Sequence, residues 1–257
     1  SNGLDVQVPQ TEWLADDFRC TATGPITQVR IWGSWLNDQV PPASLGPCFT
    51  LGFWSDVPRQ GVCPSHPDQL LCSVAFVAGG NPYSIYTNGV IEQFFRPSCS
   101  GGDIIGSDTT IYEYVFDVPA NFACWQTNGN IYWLGIQVGC YDTNLYRFGW
   151  KTCPTNWNDD AVFGDPSCVQ TCALATAPWN ELLRPSSTNS LDLAFEIITG
   201  TNPCPPGVTI TCGTNQVVEC GTNWTVSPPI VSSPCCGTSY TLTSTVSTNG
   251  TCPQIIT

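Results

Sequence analysis

Apolar and polar positions alternate along residues 1–200 in short runs, not in helical stretches. The runs ITQVRIW (26–32), CFTLGFW (48–54), TIYEYVFDV (110–118), NIYWLGIQV (130–138), LYRFGW (145–150) and LDLAFEII (191–198) each send every second side chain to one face. That is the period of a half-buried β-strand. In TIYEYVFDV one face carries Ile111, Glu113, Val115 and Asp117, and the other carries Tyr112, Tyr114 and Phe116. The two acids assign the first face to solvent and the aromatics to the core. One short helix is expected, in APWNELL (177–183). About ten strands over this length predict a jelly-roll-like β-sandwich.

The pattern changes near residue 200. TGTNPCPPG (199–207) supplies a Pro/Gly break, and beyond it Thr, Ser, Val and Pro dominate. Two units are predicted, 1–200 and 203–257. In the second, VTITC, QVVEC, TVSPPIVS, SYTLTSTVS and PQIIT read as strands, whereas an immunoglobulin-like sandwich takes about seven. The expected module is therefore a partial immunoglobulin-like sandwich. Its open sheet would be completed by further residues or by strand addition from a neighbouring chain.

Composition narrows the function classes. Only 11% of residues are charged, and 22 Pro with 23 Gly rule out a mostly helical chain. The net charge is −13, with Lys151 the only lysine and the arginines scattered. Nothing here could neutralise a nucleic-acid backbone or an anionic membrane surface. The cysteines are Cys20, Cys48, Cys63, Cys72, Cys99, Cys124, Cys140, Cys153, Cys168 and Cys172 in the first unit, and Cys204, Cys212, Cys220, Cys235, Cys236 and Cys252 in the second. With one His and no C-x₂-C pair, these read as disulfides made in an oxidising compartment rather than as zinc ligands. Both units would be disulfide-stapled. The chain lacks Met and does not open on a basic, apolar leader, so a mature, secreted, extracellular chain with its signal peptide removed is expected. No apolar run is long enough for membrane insertion within the given chain.

Four segments carry a resemblance over nearly all of 1–200: WLADDFRCTATGPITQVRIWGSWLND (13–38), IYWLGIQV (131–138), FGWKT with NWNDDAVFGD (148–165), and SLDLAFEIITG (190–200). Together they resemble an uncharacterised secreted β-sandwich domain family of planctomycete- and verrucomicrobium-type bacteria. The resemblance implies kinship and brings no activity. The high cysteine count departs from that pattern. The tail, with its paired ITC and VEC, the GTNW step, the vicinal Cys235–Cys236 and TNGTCPQ, resembles a hyalin-repeat, immunoglobulin-like module. That resemblance implies a further Trp-bearing strand and a last Cys-bearing strand, which the given tail lacks.

Candidate chemistry is sparse. His66 lies in CPSHPDQ without a Gly-x-Ser-x-Gly elbow to serve, so no catalytic residues are assigned and the protein is expected not to be an enzyme. Asp16 and Asp17, Asp159 and Asp160 beside Asn158, and Asp192 with Glu196 could converge if the first and last strands are neighbours. Such carboxylates suit calcium, which takes about six to eight oxygen ligands. The competing reading is that Asp and Asn satisfy turn backbones. No cofactor is required, and structural calcium is the candidate ion. Among ten Trp, Trp32 and Trp35 in IWGSW are the candidate sugar platform, three apart and so on opposite strand faces, with Gly33 allowing a bend. Core filling is the alternative for both. Asn223 and Asn249 sit in glycosylation sequons.

These features point to a secreted, non-catalytic structural or adhesive protein: a self-assembling subunit of a fibre, sheath or surface layer. Its partners would be copies of itself or neighbouring surface proteins. The alternative is a carbohydrate-binding module of a larger secreted protein, with polysaccharide as partner.

Overall fold

The structure, a computed structural model, describes residues 3–9, 11–42, 47–61, 63–76, 83–122, 124–139, 142, 145–155, 157–168, 179–200, 209–211, 230–232, 248–249 and 255–256. The chain divides into two compact units, Ser1–Thr201 and Asn202–Thr257.

The first unit is all-β. Its strands are β1 (Leu4–Gln7), β2 (Leu14–Arg19), β3 (Gly24–Trp35), β4 (Cys48–Val57), β5 (His66–Phe76), β6 (Tyr83–Arg96) and β7 (Asp103–Asp117), followed by β8 (Trp125–Gln126), β9 (Ile131–Gly139), β10 (Phe148–Cys153), β11 (Val162–Gly164), β12 (Trp179–Glu181), β13 (Asp192–Leu193) and β14 (Phe195–Thr199). One sheet runs β13-β10-β1-β6-β7-β3-β14 with β8 beside β3, and the other runs β12-β11-β2-β9-β4-β5. Leu4, Val6, Ile31, Trp35, Phe116 and Trp150 of the first sheet share one apolar core with Leu14, Phe49, Leu51, Leu134 and Ile136 of the second. This is a sandwich-type arrangement of two sheets.

Alternation placed the long strands well. Tyr114 and Phe116 are buried in the core, with Tyr112 packed against it, and Asp117 is exposed; Ile111, expected on the solvent face with Asp117, is instead buried. LDLAFEII divides at Ala194, where β13 pairs with β10 and β14 with β3. The helix expected over 177–183 is corrected at 179–181, which form β12 against β11. Seven residues are too few to nucleate a helix unaided, and Trp179 gains instead an edge-on contact with Trp54 at 6.0 Å between ring centroids. Trp54, Trp133 and Trp179 form a separate apolar cluster with Ala15 and Val162, so several of the ten Trp serve packing.

Disulfides join Cys72 to Cys124 and Cys99 to Cys168, and Cys48 and Cys63 are also bridged. The expectation that every cysteine is bridged fails at Cys20 and Cys153, which carry free thiols. The Cys20 thiol, at the end of β2, turns back on its own chain to donate to the Ala22 carbonyl at 2.9 Å. Cys153 Sγ lies 3.3 Å from Thr155 Oγ1. Cys140, Cys172, Cys204, Cys212, Cys220, Cys235, Cys236 and Cys252 lie outside the described residues.

In the second unit Thr209–Thr211 pairs antiparallel with Ile230–Ser232, and Thr248–Asn249 with Ile255–Ile256. These fall within or beside the expected strands VTITC, TVSPPIVS, SYTLTSTVS and PQIIT. QVVEC, SYTLTSTVS and Asn223 lie outside the described residues. Among the described residues, no helix is long and apolar enough to cross a membrane.

Candidate functional site

Five strands of the first sheet pair in a closed circuit: β3 with β7, β7 with β6, β6 with β1, β1 with β10, and β10 back to β3. The closure depends on β3 changing neighbours. Along one edge it pairs with β14 as far as Ile31, then with β10 from Gly33. A β-carbon at Gly33 would stand 2.4 Å from the Gly149 carbonyl oxygen, and one at Gly149 would stand 2.7 Å from the Phe94 ring. Only glycine permits so close an approach at these two positions.

Each strand of the circuit contributes a buried polar side chain to one cluster: Asp5 from β1, Ser34 from β3, Glu92 from β6, Asp108 from β7 and Lys151 from β10. None is more than 8% exposed. Leu4 and Val6 go to the main core, so strand alternation turns Asp5 to the opposite face, directly across from Lys151. Glu92 stands across from Asp108, just after an irregular register between Asn88 and Glu92. Such a bulge re-aims side chains. On β7, the consecutive N–H groups of Thr109 and Thr110 both donate to the Asp38 carboxylate, at 3.0 and 2.9 Å to Oδ1. In a regular strand consecutive N–H groups point to opposite edges, so alternation breaks here and Asp108 turns toward Ser34. Burial raises the Asp38 carboxyl, but the hydrogen bonds from Thr109 and Thr110 outweigh it and hold the group below its usual range.

The cluster is short of positive charge. Lys151 Nζ donates to Glu92 Oε2 and, at 3.3 Å, to Asp5 Oδ2. Asp5 Oδ1, both Asp108 carboxylate oxygens and Ser34 Oγ are buried without a close hydrogen bond; the Ser34 hydroxyl faces both carboxyls and pulls each down, but its one proton can serve only one of them. Desolvation pushes Asp108 up to about 8, with the Asp5 charge adding to it. Desolvation likewise raises Asp5 to about 6, against the opposing pull of Lys151. Oxygens of Asp5, Glu92 and Asp108 lie within 4.8 Å of one another. This arrangement can hold a metal ion.

The carboxylates singled out in the sequence are placed differently. Asp16 pairs with Leu134 and Asp17 with Trp133, so these adjacent residues face opposite sides of β2. Asp16 turns into the sandwich and accepts from Leu193 N at 2.6 Å and Asp17 N at 2.8 Å. Burial raises it well above the usual carboxylate range. Asp17 accepts from the Asn158 amide. Desolvation raises it to about 7 and the Asn158 bond opposes this, while Asp159, Asp56 and Asp192 add repulsion. Asp159 is paired with Arg59 at 3.2 Å. Asp192 accepts from Trp157 N at 2.5 Å and is raised first by burial, with the Asp160 charge contributing. Asp16, Asp17, Asp159, Asp160 and Asp192 thus sit within electrostatic reach of one another as a chain of neighbours. Glu196 does not join them: on β14 it pairs with Arg30 at 3.4 Å.

Trp32 and Trp35 do lie on opposite faces of β3. Trp35 as a sugar platform is corrected, because it is fully buried and donates its Nε1 to Tyr114 Oη at 3.0 Å. Trp32 is half-buried, 6.0 Å edge-on from exposed Tyr86. His66 Nδ1 lies 3.0 Å from the Pro64 carbonyl. Asn249 is in a short strand of the second unit.

Sequence reasoning passed over all five circuit residues. Asp5 occupies the polar position of an alternating LDVQV, which normally marks a solvent face. The one available signal was Lys151, the sole lysine, set within the apolar FGWKT.

No curated protein and no solved structure matches the chain. A family model does match, over residues 1–198. That span contains every strand of the closed circuit and all five of its polar residues. On this match the chain belongs to the family described as Domain of unknown function (DUF7901).

Proposed function

We propose that this is a secreted, non-catalytic structural or adhesive protein of the cell exterior, which associates with copies of itself or with neighbouring surface proteins. The observation that carries the reading is the exposure of Tyr83, Ile85, Tyr86, Val90 and Ile91 along β6, with Leu70 and Leu71 on β5. Large apolar side chains concentrated on one strand, as on β6, mark an interaction surface more often than chance exposure; Leu70 and Leu71 add exposed apolar area on the other sheet. β5 also ends the second sheet, and its outer edge offers backbone groups to an added strand. The bridges Cys72–Cys124 and Cys99–Cys168 suit an oxidising exterior, where disulfides form and persist.

In this reading the first unit is a jelly-roll-like sandwich and the second a partial immunoglobulin-like, hyalin-repeat-like module that also takes part by strand addition. A carbohydrate-binding module is the alternative, favoured by half-buried Trp32 beside exposed Tyr86. Negative-stain microscopy of the oxidised full chain distinguishes the two. Fibres or sheets that disappear in Ile85→Asp/Ile91→Asp support assembly. A dispersed monomer that binds polysaccharide, and loses it in Trp32→Ala, supports the alternative.

A further inference from the structure

We propose that Asp5, Glu92 and Asp108, together with the Ser34 hydroxyl, bind one divalent cation of the calcium class, and that this ion ties the β6–β7 hairpin to β1 and β3. The inference is independent of whether the protein self-assembles, and it concerns residues other than the aspartates of β2 and the 158–160 loop.

Three observations carry it. The first is charge. Three buried carboxylates face one ammonium, that of Lys151. With all three carboxyls ionised, one divalent ion plus that ammonium balances them, whereas a monovalent ion leaves a deficit and a trivalent ion an excess. Lys151 therefore stays in place as the fixed partner of Glu92 and Asp5. Its side chain is 10% exposed, against 0% for Asp5 and 2% for Glu92, so it stands at the water side of the cluster.

The second is the set of unsatisfied oxygens. Asp5 Oδ1, Asp108 Oδ1 and Oδ2, and Ser34 Oγ are fully buried without a close hydrogen bond, and the Ser34 hydroxyl that faces both carboxyls has one proton, enough for one of them. Burying such groups without a partner costs roughly 1–3 kcal/mol each, more when charged. Ser34 is the independent witness, because it is not an acid and has no Coulombic reason to be there. It comes from a fourth strand and turns its hydroxyl to Asp5 and Asp108. One hydroxyl proton cannot satisfy the three carboxylate oxygens of Asp5 and Asp108, and a cation shared with Ser34 Oγ would.

The third is size and softness. The three carboxylate oxygens lie within 4.8 Å of one another. Ligands around calcium, at about 2.4 Å each, stand at most about 4.8 Å apart, so oxygens this close can share one such ion. The set contains only oxygen, which suits a hard cation and not zinc or copper. Magnesium keeps several waters and demands near-octahedral geometry, which a cluster buried on five strands does not favour. Carboxylates that can bind through one or both oxygens fit calcium's variable geometry.

The consequence is local order. Glu92 and Asp108 face each other across β6 and β7, while Val90 and Ile91, immediately before Glu92, project outward. An ion bridging Glu92 and Asp108 to Asp5 and Ser34 would fix the base of the segment that bears the exposed apolar residues.

The test is calcium binding by equilibrium dialysis on the oxidised full chain, after chelation and exchange, combined with limited chymotrypsin digestion at Tyr83 and Tyr86. The expected result is one ion for the cluster in the wild type. Affinity should fall roughly 100-fold in Asp108→Asn and about tenfold in Ser34→Ala, and stay unchanged in Asp17→Asn. Cleavage of the hairpin should be slower with calcium than with chelator in the wild type, and equally fast in both for Asp108→Asn. If Asp108→Asn fails to fold, Ser34→Ala, a milder truncation, supplies the same comparison. The proposal is overturned if the wild type binds no ion at millimolar calcium, or if Ser34→Ala and Asp108→Asn bind as the wild type does. It is equally overturned if binding is lost in Asp17→Asn and kept in Asp108→Asn.

Discussion

Asp17 shows how burial decides the behaviour of a carboxylate. It is 4% exposed, its Oδ1 is unsatisfied, and desolvation raises it to about 7. In the unfolded chain the same group titrates near ~3.9. Because the folded value is the higher one, the folded state binds the extra proton between these limits. The stabilisation is fully present below about pH 4 and is lost as pH rises through about 7. Asp16, Asp56 and Asp192 are raised in the same sense. In chelator, the midpoint of thermal unfolding is therefore expected to be higher at pH 5 than at pH 8. Asp17→Asn should flatten that difference by an amount on the order of 2–4 kcal/mol, read from denaturant melts across the range. A stability that rises from pH 5 to pH 8, or an unchanged slope in Asp17→Asn, would contradict this account.

At the scale of elements, the closed circuit rests on close approach of β10 to β3 at Gly33 and to β6 and β1 at Gly149. Gly149→Ala would drive a methyl group into the Phe94 ring and the Asp5 β-carbon, at 2.7 and 3.0 Å. Overpacking of this kind costs about 1–3 kcal/mol. Phe94→Leu in the same chain should recover part of the loss, because it removes the ring atoms nearest the new methyl. Calorimetry of the single and double variants measures this, and additive losses would place the strain elsewhere. The same circuit explains what was legible in the sequence. Alternation identified β3, β4, β7 and β9 and oriented Tyr114 and Phe116 inward, because these strands have one face on the core. It did not identify β5 or β6, whose outward positions carry Leu70, Tyr86 and Ile91 and so break the polar–apolar rhythm. It could not show that the back of β1 is buried. Asp5 looks solvent-facing in LDVQV, and only the pairing of β10 with β3, far apart in sequence, closes water out. Asp16 and Asp17 do come near Asp159, Asp160 and Asp192, but as adjacent strand residues they face opposite sides of β2.

At the scale of the molecule, a net charge of −13 opposes association between copies, while the apolar side chains of β5 and β6 favour it. Both act at once, and salt screens the first without weakening the second; at 0.15 M the screening length is about 8 Å. Association through these strands should therefore strengthen as ionic strength rises, the reverse of an interface built on opposite charges. The covalent ties bear on the same balance. Bridges such as Cys99–Cys168 restrict the unfolded chain and let a unit with exposed apolar strands stay folded while it associates. The most direct measurement is sedimentation velocity of the oxidised full chain over a wide concentration range, at low and at physiological salt, with Ile85→Asp/Ile91→Asp run beside it. The expected result is concentration-dependent assembly that grows with salt and is abolished in the variant. A single monomeric species at every concentration and salt, identical in the variant, would contradict it.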